Sequence, residues 1–121
     1  MEMRVVVLMI EMEQPEGLSA RKLVLETSKH NVLTTYNGKA GVAMFRRFPD
    51  VDAVVVHVDV SDEPFASVVR QIREIRPEVP IIALSPVGEI VLPEVDYVIP
   101  SHEPQAILKV LAKHFGASTS N

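Results

Sequence analysis

The residues that could do chemistry gather behind one apolar run. Ala53 to Val58 reads Ala-Val-Val-Val-His-Val, and Asp59, Ser61 and Asp62 follow it; Ser85 stands behind a second run, Ile81-Ile82-Ala83-Leu84. An imidazole such as His57 can accept a phosphoryl group through nitrogen. Asp59 lies two residues on and so shares its strand face, and with Glu11 or Glu13 it would make an acidic oxygen site for a hard cation. His57, Asp59, Ser61 and Ser85 together could also take a small ligand. Each reading competes with a plainer one: a strand-end histidine buried and hydrogen-bonded, loop acids in solvent, and a serine capping its own loop. With no cysteine in the chain, thiolate metal sites, disulfides and cysteine catalysis are excluded. No two of the four histidines show metal-ligand spacing within one element, and no glycine-rich loop is present to cradle a nucleotide phosphate.

These groups need elements to place them. A β-branched run without apolar/polar alternation is the mark of a parallel strand covered on both faces, and open α/β sheets bind ligands beyond the carboxyl ends of such strands. Arg4 to Ile10 reads as the first strand, Val32 to Thr35 as the second, Ala53 to Val58 as the third, Ile81 to Leu84 as the fourth and Tyr97 to Ile99 as a short fifth. A helix begins near Pro15 and runs to about Lys29. Asn37-Gly38 turns into a second, whose inner face is read as Ala40, Ala43, Met44 and Phe48. Ser61-Asp62 caps a third that starts at Pro64, with Phe65, Val68, Val69, Ile72 and Ile75 as its stripe and Arg70, Arg73 and Arg76 as its wet face. Pro86, Gly88 and Pro93 punctuate the next stretch too heavily for a normal helix. Pro104 opens a last one, facing inward through Ile107, Leu108, Leu111 and Phe115 and closed by Gly116; His102 and His114 look solvent-facing. Strands alternating with helices predict a doubly wound parallel sheet with right-handed crossovers.

At 121 residues this is one domain, spanning 1–116, with 117–121 a disordered tail or linker. A net charge of −4 without a basic block argues against direct nucleic-acid binding, and Arg46-Arg47 reads as a solvated helix face. The amino-terminal apolar run is too short to cross a membrane and lacks a signal-peptide cleavage site, so a cytoplasmic location is expected.

With the elements in place, the chain resembles the CheY-like response-regulator receiver domains of two-component signalling. The likeness is carried by His30 to Gly38 with Ala43, by Pro49-Asp50-Val51-Asp52-Ala53-Val54-Val55-Val56, by Arg70 to Arg73 continuing through Pro77-Glu78-Val79-Pro80 to Ser85, and by Asp96-Tyr97-Val98 with Glu103-Pro104. The resemblance implies a flavodoxin-like sheet in the order 2-1-3-4-5. It also implies aspartyl phosphorylation, in which an acid pair after strand 1 holds Mg²⁺, a hydroxyl after strand 4 contacts the phosphoryl group, and a lysine after strand 5 neutralises charge.

This chain departs from that pattern at most of those positions. The phosphoacceptor position falls on His57; the acid pair falls on Met9 and Ile10 or on Met12 and Glu13; the lysine position falls on Pro100, or on Ile99. Ser85, and Tyr97 at the switch position, are kept, while the stretch after Ser85 is short, so the helix following strand 4 is expected to be missing or reduced. The resemblance therefore implies a degenerate pseudo-receiver that is not an enzyme and has no cofactor, and that works by binding a protein, either a second copy or another signalling component. The alternative is an active phosphoacceptor using Asp59 or His57, with Mg²⁺ held by Glu11, Glu13 or Asp59.

Overall fold

The computed structural model describes residues 4–12, 20–87, 92 and 94–116. Five parallel strands, β1 (Val6–Ile10), β2 (Asn31–Thr35), β3 (Ala53–His57), β4 (Ile81–Ser85) and β5 (Tyr97–Pro100), form one sheet in the order β2-β1-β3-β4-β5. The expected order and strand assignments are borne out. The reason is visible in β3 and β4, where every residue is buried: a strand flanked by strands and covered on both faces has no solvated side, so β-branched and apolar residues run without interruption.

Side chains alternate between two cores. Leu8, Ile10, Val54, Val56 and Ile81 meet Val42 and Phe45 of α2 (Gly38–Arg47) and Val68, Val69 and Ile72 of α3 (Phe65–Ile75). Val7, Met9, Ala53, Val55, Ile82 and Leu84 meet Leu25 of α1 (Ala20–Thr27) and Ile107 and Leu111 of α4 (Ala106–Leu111). Full burial of a side chain such as Ile72 stabilises by roughly 1.5–3 kcal/mol. Register places Ile10 beside Val56 and Ser85 beside Pro100, so the carboxyl ends of β1, β3, β4 and β5 share one edge.

Several local expectations are corrected. The inner face of α2 is Gly38, Gly41, Val42 and Phe45, while Ala43 is exposed and Phe48 is 44% exposed. Counting apolar side chains alone missed the glycines: a Cβ at Gly41 would lie 2.4 Å from Ile10 Cδ1, so the helix backbone rests directly on the Ile10 side chain of β1. Asp62 does not cap α3, whose N-terminus has no side-chain cap. It crosses instead to α2, accepting from the Gly38 and Lys39 amides at 2.6 and 2.9 Å beside the Asn37 cap on Ala40.

Arg73 and Arg76 are not a wet face. Arg73 donates to the carbonyls of Pro77, Val79 and Glu94 and pairs with Asp96 at 3.0 Å; Arg76 donates to the carbonyls of Pro49 and Val51. Both tie α3 to neighbouring loops through long apolar stems. The last helix begins at Ala106 rather than Pro104 and ends in a π-helical turn, Ala112–Gly116. Among the described residues no helix lies between β4 and β5; residues 88–91 and 93, the proposed start of the first helix near Pro15, and the tail from 117 lie outside the described residues.

Candidate functional site

The shared carboxyl edge is built strand by strand. The ladder between β1 and β2 continues one residue past Ile10, with the Glu11 amide donating to the Thr35 carbonyl at 2.9 Å. This fixes Glu11 at the edge, and its side chain is 0% exposed. A buried carboxylate needs a partner, and Arg21 of α1, itself 7% exposed, supplies one: Nη2 lies 2.6 Å from Oε1 and Nε 3.1 Å from Oε2. The remaining arm, Nη1, donates to the carbonyl of Ser101, the residue after β5. Ser101 in turn donates its amide to the Ser85 carbonyl at 2.9 Å.

His57 ends β3 beside this pair and is 6% exposed. Its Nδ1 accepts the Asp59 amide at 3.0 Å, which assigns the neutral tautomer with the proton on Nε2. Burial lowers its pKa below the ordinary value, Asp59 opposes that shift, Arg21 adds to it and Glu11 opposes it. In this form the ring is a poor nucleophile at either nitrogen, because the Nδ1 lone pair is engaged and Nε2 carries hydrogen.

Ser85 is fully buried, and its hydroxyl accepts the Val87 amide at 3.3 Å, a turn within its own loop. Pro100 closes β5 opposite it and carries no charge. Tyr97 is half-buried, its hydroxyl 2.8 Å from His114 Nδ1 and its ring edge-on to the imidazole. Asp59, on the turn after β3, is exposed, as are Ser61 and Asp62. The edge thus brings together Glu11, His57, Asp59 and Ser85; Tyr97 belongs to the opposite end of β5, and Glu13 lies outside the described residues. A cavity of about 420 Å³ lies elsewhere, between Phe65, Ala66 and Val69 of α3 and Leu92, Glu94 and Val95.

Sequence reasoning missed Arg21. The available signal was that a glutamate directly after a fully buried strand requires a cation, but nothing in the local pattern distinguishes Arg21 from Lys22 or Arg4 as its source.

The fold has close structural counterparts. A CheY-like response regulator receiver domain protein from Methanospirillum hungatei JF-1 superposes with a TM-score of 0.77 at 14% identity, covering 95% of this chain and 96% of that one. The receiver domain of a sensor histidine kinase from Pseudomonas aeruginosa PAO1, with a magnesium ion coordinated in its active-site cleft, gives 0.75 at 18%, covering 90% and 95%. CheY in the CheX–CheY–BeF3–Mg complex of Borrelia burgdorferi gives 0.73 at 14%, covering 92% and 89%. No protein-family model matches the sequence, and no curated protein matches it. At these identities the likeness establishes the CheY-like, flavodoxin-like fold.

The residues described at this edge do not fit a magnesium ion. Glu11 is held by a guanidinium, Met9, Ile10 and Met12 offer no oxygen side chain, and among the described residues no group of three His, Cys, Asp or Glu could hold a metal. Among the described residues no helix is long and apolar enough to cross a membrane.

Proposed function

We propose that the chain is a receiver-like module of two-component signalling that does not take a phosphoryl group at the usual position and acts by binding a protein in the cytoplasm, either another signalling component or a second copy. On this reading it is a pseudo-receiver and not an enzyme. The fold supports the receiver-like part, and the Borrelia burgdorferi counterpart is itself seen bound to CheX. The observation that carries the rest is the Glu11–Arg21 ion pair beside a neutral His57. A phosphoryl group is anionic, and its transfer to an acceptor needs a hard cation and an available nucleophile. Here the buried acid is already matched by a permanent cation, and the imidazole lone pair already accepts a hydrogen bond.

Intact-mass spectrometry after incubation with a small-molecule phosphodonor and Mg²⁺, at mildly alkaline pH to preserve phosphohistidine or acyl phosphate, tests the reading. An unchanged mass is expected. A single phosphoryl adduct lost in Asp59→Asn or His57→Gln would replace it with an active phosphoacceptor.

A further inference from the structure

We infer that Arg21 is a built-in strap, an internal cation that ties the end of β1 to the segment after β5 and holds the carboxyl edge in one conformation with no bound ion. The inference deepens the reading above, naming what keeps that site in a single state, and depends on it only for the consequence in signalling.

Arg21 uses Nε and Nη2 on Glu11 and Nη1 on the Ser101 carbonyl, so one planar guanidinium serves two segments that β3 and β4 separate in the sheet. Ser101 passes the constraint on, since its amide binds the Ser85 carbonyl and the Ser85 hydroxyl binds Val87. The strap therefore reaches the start of the β4–β5 connection and the turn into α4. The ion pair itself is sheltered: Glu11 and Arg21 are both buried, so it is neither diluted by solvent nor readily screened by salt. A guanidinium is always charged in a protein, so this strap, unlike a bound cation, is present whatever the surroundings hold. The face made by β5 and the turn into α4 accordingly presents one shape to a partner.

Amide hydrogen exchange on the whole chain tests the strap, comparing wild type with Arg21→Gln, Arg21→Lys and Glu11→Gln. Protection of the β3 amides, read in the same sample, separates local release from general destabilisation. For Arg21→Gln, exchange at the Glu11, Ser101 and Glu103 amides should rise at least tenfold beyond any rise at Val54 to His57. Arg21→Lys, a compact point charge that cannot fork, should keep protection at Glu11 and lose it at Ser101. Glu11→Gln, which retains the side-chain shape, provides the comparison should Arg21→Gln fail to fold, and should raise exchange at both ends of the strap.

A rise equal at the edge and in β3, or no rise at either end, overturns the strap. The two inferences fail separately: a phosphoryl adduct on wild-type protein removes the non-catalytic reading and leaves the exchange pattern standing, whereas uniform exchange removes the strap and leaves the mass spectrum unchanged.

Discussion

Replacing Gly41 by alanine probes how α2 positions β1, and through β1 the Glu11 carboxylate. The added Cβ would meet three atoms of one side chain, Ile10 Cδ1 at 2.4 Å, Cγ1 at 2.6 Å and Cγ2 at 2.8 Å. Because Ile10 is fully buried and all three atoms are close, no single rotamer change relieves the overlap. Overpacking of this kind costs about 1–3 kcal/mol. Gly41 lies inside a helix with no positive φ, so alanine returns about 0.8–1.0 kcal/mol of helix propensity. The net expectation is a loss of up to about 2 kcal/mol.

The sign should reverse in an Ile10→Ala background. That change alone removes all three of these atoms and costs about 2–5 kcal/mol through the cavity it leaves. Gly41→Ala on top of it is freed of these three overlaps and should stabilise by about 1 kcal/mol. Urea unfolding followed by far-ultraviolet circular dichroism measures all four proteins. With a slope of about 2 kcal/mol per molar urea, the single Gly41→Ala change should lower the midpoint by up to about 1 M. Equal destabilisation in both backgrounds would refute the close approach of α2 to Ile10, since the penalty would then have another source.

Two pH effects follow from the charged groups. His57 and His30 both have pKa values lowered by burial from the ordinary 6.5. As pH falls through 6.5 the unfolded chain binds protons that the folded chain resists, so the pair contributes nothing above that pH and destabilises below it. The unfolding midpoint should therefore drop between pH 7 and 5, and a His30→Gln/His57→Gln double variant should lose most of that drop; an unaltered drop would show that neither ring resists protonation. Asp62 behaves oppositely in range: hydrogen bonds donated by the Lys39 and Gly38 backbone amides lower its pKa from 3.8. Its contribution is present above 3.8 and disappears as pH falls through the lower folded value. Asp62→Asn should be less stable than wild type at pH 7 and converge with it in strong acid, and a constant difference across that range would dismiss the charge as the cause.

Fold was legible because its signals are local. A parallel strand buried on both faces is apolar along its covered length, so Ala53 to Val56 and Ile81 to Leu84 stood out as unbroken runs, each ending in a polar residue. The stripe of α3 was equally plain, and Val68, Val69 and Ile72 are its buried residues, because a helix packed on one side repeats at helical spacing. The face of α2 was misread for a related reason: its closest approach is made by a residue with no side chain, which hydrophobic counting cannot register.

From the order and type of its residues alone, the chain determined alternating strands and helices, the 2-1-3-4-5 sheet, and the edge on which His57, Asp59 and Ser85 are gathered. Only the tertiary structure decided what those residues do there. Arg21 finds Glu11 and Ser101, Asp62 leaves its own helix to cap α2, and Arg73 and Arg76 turn from solvent to loop carbonyls. Such pairings depend on where crossovers bring segments distant in sequence, and a charged side chain has several candidate partners until packing and burial leave one.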